Sequence, residues 1–122
     1  MLNLKKLAKS FHYAFRGVIT LLKNEQNARI HASATIIVGI LAFLLEVTRV
    51  EAAVLFMAVI MVFALEIMNT AVEKVCDLIC VKDNPEIAYI KDGTAGAVLI
   101  AAVIAIVVAI LIFLPHIRAL FG

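Results

Sequence analysis

The chain contains three long apolar stretches, and an amphipathic stretch precedes them. Residues 4–23 carry apolar side chains every three or four positions and basic side chains on the opposite face. This spacing predicts a helix that lies on an anionic membrane surface. The apolar stretches predict spanning helices at about residues 30–48, 52–80 and 86–115. The predicted fold is therefore an all-α membrane protein with one surface helix and three transmembrane helices.

Local signals refine the last predicted span. Asn84 followed by Pro85 is typical of an N-cap with proline at the first helical position, and Pro115 is expected to end the helix. Between them, small residues recur every four positions and predict close helix packing, either within the chain or between copies of an oligomer. These residues are Gly93, Ala97, Ala101, Ala105 and Ala109.

Composition supports the membrane interpretation. Of the 122 residues, 65% are hydrophobic, and the mean hydropathy of +1.10 excludes an ordinary soluble domain. The chain is long enough for a single domain, residues 1–122, and too short for a two-domain enzyme. A net charge of +2 does not indicate nucleic-acid binding. Cys76 and Cys80 lie on successive turns of one predicted helix, so we expect both thiols to be reduced.

The distribution of cations predicts the topology. Six of the eleven Lys and Arg residues precede the first apolar run. Of the other five, Lys82 and Lys91 lie in the polar segment 82–92 and Lys74 lies before it. The positive-inside rule therefore places the N-terminus and this segment in the cytoplasm. The turn at 46–51 and the C-terminal residues 115–122 are then expected outside.

A polar stripe on the second predicted span is the main candidate site. At 100° per residue, five polar side chains fall on one narrow face of this helix: Glu66, Asn69, Thr70, Glu73 and Asp77. Carboxylates at membrane depth are costly, so a functional site is the default hypothesis. A polar lock between helices is the structural alternative, and it predicts that Glu66→Gln is tolerated.

The carboxylates of the stripe are expected to have different roles. Glu66 and Glu73 are separated by about 10 Å along the helix axis, too far to share one ion. Glu66 lies nearer the apolar half and is suited to accept a proton, whereas Glu73 lies toward the surface, where Mg²⁺ is available. Glu25 is the candidate second magnesium ligand. A further hypothesis is a non-enzymatic proton or ion pathway in which Glu66 and Glu73 relay protons.

The start of the third span is a candidate phosphate site. Lys91 and Asp92 precede an apolar helix on the same side as Glu73, and a lysine near a helix N-terminus attracts phosphate. The chain has no P-loop, no dinucleotide-binding glycine motif and no protein-kinase motif, so any nucleotide must bind in another way.

Three segments carry a resemblance to a known family. They read NEQNARIH at residues 24–31, LEIMNTAVEKVCD at 65–77 and KDGTAGAVL at 91–99. Together they closely resemble the bacterial diacylglycerol kinase and undecaprenol kinase family. The resemblance implies a homotrimeric bundle in the bacterial cytoplasmic (inner) membrane, with active sites shared between subunits on the cytoplasmic side. It also implies ATP-dependent phosphorylation of a lipid hydroxyl.

The resemblance assigns roles to individual residues. Glu66 resembles the general base, Asn69 helps to orient the lipid hydroxyl, and Glu25 and Glu73 resemble ligands of the Mg²⁺ that bridges the ATP phosphates. Eight positions match the nucleotide site of the family: Tyr13, Glu25, Glu73, Lys82, Asp83, Asn84, Lys91 and Asp92.

The lipid substrate is expected near Arg29, His31 and Glu66. His31 stands where diacylglycerol kinases of the proteobacterial type carry a glutamate, and the form N-x-x-I-H resembles the undecaprenol kinase branch. Undecaprenol is therefore the favoured substrate. Diacylglycerol, which would give phosphatidic acid as product, is the alternative.

Overall fold

A computed structural model describes residues 1–122 as four helices connected by short turns, with no β-strand. The helices are α1 (Leu4–Asn24), α2 (Gln26–Leu44), α3 (Arg49–Ile79) and α4 (Pro85–Phe121). The predicted all-α fold is confirmed. Helices α2, α3 and α4 are each long and apolar enough to cross a membrane, whereas α1 is amphipathic.

Helix α1 is attached to the rest of the chain at its C-terminal end. The side chain of Asn3 caps its first turn by accepting a hydrogen bond from the Lys6 amide at 3.2 Å, and none of its residues is buried. Glu25 alone separates α1 from α2 and has an extended backbone. The Arg29 guanidinium donates to the carbonyl oxygens of Leu22 at 3.1 Å and Lys23 at 2.9 Å. These bonds satisfy free carbonyls at the end of α1 and hold it against the start of α2.

Helix α2 ends earlier than the sequence predicts. Helix α2 ends at Leu44, so the last residues of the predicted 30–48 span are not helical. Thr48 and Glu51 form a capping box that starts α3: the Thr48 hydroxyl accepts from the Glu51 amide at 3.2 Å, and the Glu51 carboxylate accepts from the Thr48 amide at 3.1 Å. This reciprocal bonding satisfies the free amides that begin the helix.

The three apolar helices pack as consecutive antiparallel hairpins, α2 against α3 and α3 against α4. Val62 in the middle of α3 packs with Val98 and Ala105 of α4 in the main apolar cluster. Residues early in α3 meet residues late in α4, so the two helices are antiparallel. As a result, α3 is the central helix and both of its neighbours contact its polar stripe.

The prediction that Pro115 ends the last helix was wrong. Helix α4 continues through Pro115 to Phe121. A proline inside a helix removes one backbone donor, and the bonds of the turns on either side can keep the helix continuous. A side-chain contact also fixes the extension, since His116 Nε2 lies 3.0 Å from Glu51 Oε2 at the start of α3. The signal at Asn84 and Pro85 was correct: Asn84 caps α4 and Pro85 occupies its first turn.

The small-residue repeat of α4 is used for packing over part of its length. Ala101 and Ala105 pack against α3 around Val62, which confirms helix packing there. Gly93, at the other end of the repeat, has open space where a side chain would be. Only 11 of the 122 residues are buried, so a single chain leaves most apolar side chains of the spanning helices to contact lipid or another protein surface. Both cysteines are free, as expected.

Candidate active site

Three of the five residues in the polar stripe of α3 are buried, and the stripe has contacts with both α2 and α4. Glu66, Asn69 and Thr70 are only 4%, 6% and 3% exposed. Glu66 faces α2 and Asn69 faces α4, as their partners show. Buried polar side chains at this depth must be paired to be tolerated. No buried side-chain nitrogen or oxygen in the chain lacks a hydrogen-bond partner.

Glu66 lies beside an imidazole. The Nε2 atom of His31 is 3.8 Å from Glu66 Oε2, and the side chain of Asn27 is also adjacent to this carboxyl group. Glu73 and Glu25 are within electrostatic range of the same group. One chain therefore brings together the predicted base, the predicted metal ligands and one predicted lipid-contacting residue.

Asn69 connects α3 to α4 and to Glu73. Its amide nitrogen donates to Glu73 Oε1 at 3.3 Å, one helical turn away on the same face. Its amide oxygen accepts from the hydroxyl of Thr94 at 2.7 Å, which reaches across from α4. The Asn69 amide therefore has a hydrogen-bond partner at its nitrogen and at its oxygen, and it holds the Glu73 carboxylate close to Asn69.

A second polar cluster lies where α3 ends and α4 begins. The Lys91 ammonium donates to Asp77 Oδ1 at 2.6 Å, which joins the two helices. The pair lines a cavity of about 450 Å³ together with the loop residues Lys82, Asp83 and Asn84. Four of the eight predicted nucleotide-binding residues therefore surround one open cavity. Asn84 also caps α4, because its side-chain oxygen accepts from the Glu86 amide at 2.9 Å.

Other predicted site residues are less closely associated. Tyr13 is 62% exposed on α1, where its ring lies near that of His12. Asp92 is exposed at the start of α4. No hydrogen bond or ion pair joins Tyr13 or Asp92 to another candidate residue. Arg29 is also exposed, and its guanidinium bonds the end of α1 rather than the Glu66 carboxylate.

The carboxylates fit a magnesium ion that is held partly by phosphate. No group of three or more His, Cys, Asp or Glu side chains converges on one point. Mg²⁺ is commonly bound by one or two carboxylates, with water and substrate phosphates completing the shell. Glu73 and Glu25 are both partly exposed and both within electrostatic range of Glu66, so their carboxylates suit a site of this kind.

Comparison with known proteins identifies the family. The family model described as prokaryotic diacylglycerol kinase matches residues 12–113, which include the polar stripe and the Lys91 cluster. The chain belongs to this family. It is accordingly a lipid kinase and an integral membrane protein, as the resemblance implied. The hypothesis of a non-enzymatic protein is therefore not supported, while the roles of the buried carboxylates stay a prediction.

Relatives of this lipid kinase have two different names. An undecaprenol kinase from Bacillus subtilis is 40% identical over 113 residues, covering 93% of the chain and 92% of that protein. A diacylglycerol kinase from Synechocystis is 39% identical and covers 93% of the chain but 66% of that protein. A diacylglycerol kinase from Haemophilus influenzae is 33% identical and covers 81% of the chain and 84% of that protein.

Two contacts at the site of this lipid kinase were not anticipated from the sequence. The Asp77–Lys91 pair joins two residues that no sequence pattern connects, and no sequence pattern points to the Thr94 hydroxyl. Both contacts cross from α3 to α4. The sequence shows that Asp77 lies on the stripe and that Thr94 is three residues after Lys91. Which of these residues meet is determined by the register of the α3–α4 hairpin.

Proposed function

We propose that this kinase transfers the γ-phosphoryl group of ATP, with Mg²⁺, to the hydroxyl group of undecaprenol. The contact that carries the proposal is the 3.8 Å approach of His31 to Glu66, because it places an imidazole beside the proposed base. The relative named undecaprenol kinase, 40% identical over 93% of the chain, supports the same substrate. The relatives named diacylglycerol kinase support diacylglycerol as the second candidate.

In the proposed reaction Glu66 acts on the lipid hydroxyl. The carboxylate accepts the hydroxyl proton as the oxygen attacks the γ-phosphorus, which is general base catalysis. The bond between the γ-phosphorus and the bridging oxygen breaks in the same transfer, and ADP leaves. Glu66 is 4% exposed, so water competes poorly for this position. His31 contacts the carboxylate from α2 and borders the space in which the lipid headgroup would lie. Asn69, one turn away, helps to orient the hydroxyl.

The phosphate groups are bound closer to the membrane surface. Lys91 pairs with Asp77 at 2.6 Å and can contact the phosphates of a nucleotide in the neighbouring cavity. Glu73 and Glu25 would hold the cation, and Asn69 orients Glu73 through its amide. A bound Mg²⁺ would offset the negative charge that develops on the phosphate oxygens. Tyr13, Lys82, Asp83, Asn84 and Asp92 are proposed to contact the nucleotide.

The substrate proposal is tested by a direct comparison of two lipids. Purified protein in mixed micelles receives Mg²⁺ and ATP with undecaprenol or diacylglycerol at equal mole fraction, and Glu66→Gln provides the blank. We expect faster phosphorylation of undecaprenol. Faster phosphorylation of diacylglycerol would overturn the substrate and retain the kinase, whereas no product above the blank with either lipid would overturn the proposed site.

A variant at His31 makes the comparison sharper. His31→Glu introduces the glutamate that the resemblance implies for diacylglycerol kinases of the proteobacterial type, and His31→Gln removes the imidazole without adding a charge. We expect His31→Glu to move the ratio of rates toward diacylglycerol and His31→Gln to slow both reactions. An unchanged ratio in His31→Glu would remove His31 from lipid selection.

The proposed assembly is a homotrimer in the bacterial cytoplasmic membrane, with the N-terminus and the site on the cytoplasmic side. The exposed apolar faces of the spanning helices and the open Gly93 end of α4 support association between copies. Mass measurement in detergent tests the trimer.

The topology is tested in intact cells with a membrane-impermeant thiol reagent and the Cys76→Ala variant. Cys80 should be labelled only after the cells are permeabilised. Labelling of Cys80 in intact cells would contradict the proposed topology.

A further inference from the structure

The Asn69 amide is the polar contact that joins α3 and α4 beside the proposed base. It is 6% exposed, and its two ends have different partners: the nitrogen donates to Glu73 at 3.3 Å and the oxygen accepts from Thr94 at 2.7 Å. The Thr94 bond is the shorter of the two. It also spans 25 residues of sequence, so it depends on the packing of the two helices.

The Thr94 hydroxyl has a single proton and two possible acceptors. One is the Asn69 amide oxygen, and the other is the backbone carbonyl of Lys91 on its own helix at 3.0 Å. A threonine hydroxyl donates one hydrogen bond, and both neighbours can only accept, so they share this proton. The shorter distance makes the Asn69 oxygen the main acceptor.

The two partners together determine which way the amide points. If the Asn69 amide rotated by half a turn, its oxygen would face the Glu73 carboxylate, and two acceptors would oppose each other without a proton between them. That arrangement is costly at a buried position. With the oxygen held by Thr94, the NH₂ group must face Glu73. A hydrophobic side chain at position 94 would leave the amide oxygen without this donor.

We propose that Thr94 is a positioning residue for phosphoryl transfer: its hydroxyl fixes the orientation of the Asn69 amide, and the amide in turn holds the Glu73 carboxylate. This assignment rests on the roles proposed above for Asn69 and Glu73. Thr94 acts through Asn69 and contacts no reacting atom.

The variants that test the proposal differ in a single hydroxyl group. Thr94→Val keeps the shape of the side chain and removes the donor, whereas Thr94→Ser keeps the donor. Thr35→Val is the matched control, since the Thr35 hydroxyl donates at 2.9 Å only to the carbonyl of His31 in its own helix. A general loss of helix stability caused by removal of a threonine hydroxyl would affect Thr35→Val as well.

The first readout is the environment of the Asn69 amide in the absence of nucleotide. The chain has five asparagines, so selective ¹⁵N labelling gives five side-chain NH₂ signals, and the signal missing from Asn69→Ala assigns Asn69. We expect this signal to move in Thr94→Val and to stay in place in Thr94→Ser and Thr35→Val. An unmoved signal in Thr94→Val would overturn the proposed contact whether or not the enzyme phosphorylates either lipid.

The second readout separates positioning from packing. Thr94→Val should lower kcat about tenfold, as expected when one orienting hydrogen bond is lost, and raise the Mg²⁺ concentration needed for half-maximal rate. The KM for the lipid should change little, and Thr94→Ser should restore most of kcat. A shifted Asn69 signal with unchanged kcat and Mg²⁺ dependence would overturn the positioning role. Equal losses in Thr94→Val and Thr94→Ser would assign the effect to packing and also overturn it. Wild-type protein that is inactive on both lipids, with the signal shifted in Thr94→Val, would instead contradict the proposed function.

Discussion

Replacement of Glu66 by glutamine tests the proposed base with little change in shape. The carboxylate is 4% exposed, and the Nε2 atom of the His31 imidazole is 3.8 Å from one of its oxygens. Glutamine fills the same volume and can form hydrogen bonds, but it cannot accept the proton of a lipid hydroxyl. General base catalysis contributes roughly 10²- to 10⁴-fold to rates. We therefore expect kcat to fall by at least about 100-fold.

The same substitution should not reduce stability. A buried carboxylate costs several kcal/mol to remove from water, and the contact with His31 is too long to recover that cost fully. A neutral amide of the same shape avoids much of this penalty. The thermal midpoint of Glu66→Gln is thus expected to equal or exceed that of the wild type, and nucleotide binding should persist because Glu66 lies apart from the Lys91 cavity.

The assay combines three measurements on the same preparation: the rate of lipid phosphorylation, the affinity for ATP and the thermal midpoint. Glu46→Gln is the matched control, because Glu46 is exposed in the turn between α2 and α3. A fall in kcat of less than about tenfold would refute Glu66 as the base, since the smallest expected contribution of such a group is larger. Loss of nucleotide binding in Glu66→Gln would also contradict the assigned role.

Four further substitutions test other contacts. Glu73→Gln should raise the Mg²⁺ requirement sharply, and an unchanged Mg²⁺ titration would remove Glu73 from the metal site. Asp77→Asn should raise the KM for ATP more than it lowers kcat, because Lys91 loses its charged partner; equal kinetics would show that the pair does not position the lysine. Arg29→Ala should speed amide hydrogen exchange near the end of α1, whose carbonyls it binds, and unaltered exchange would contradict this attachment. Thr48→Ala should lower stability by about 1 kcal/mol through loss of the α3 cap, with activity retained; no change in the thermal midpoint would argue against the cap.

Much of the fold follows from periodicity and length. The amphipathic spacing of residues 4–23 predicts a helix that agrees with α1 within one residue, and the uncharged stretches predict three helices long enough to span a membrane. The ends of the helices are harder to predict from the sequence because they depend on local hydrogen bonds. The capping box at Thr48 starts α3 earlier than residue 52, and the continuation of α4 past Pro115 depends on bonds on both sides of the proline.

The stripe was predictable, whereas its partners were not. Glu66, Asn69 and Glu73 share a face because of helix geometry alone, and the energetic cost of burying them indicates a site. The residues that meet this face come from α2 and α4, and sequence spacing within one helix cannot identify them. Thr94 illustrates the limit: a threonine among small residues near a helix start has no distinguishing pattern until the antiparallel register places it 2.7 Å from Asn69.

Polar pairs at both ends of the α3–α4 hairpin define the register on which the proposed site depends. The apolar contact between the helices uses Val62, Val98 and Ala105, and because apolar attraction is non-directional it specifies the register less strictly than polar pairs do. Asp77 pairs with Lys91 at one end, and Glu51 with His116 at the other, roughly 39 Å away along α3. A slip of one turn would displace the helices by about 5.4 Å and break both pairs as well as the bond from Thr94 to Asn69. The continuation of α4 beyond Pro115 therefore has a consequence for the site, because it supplies the second of the two pairs that hold the register.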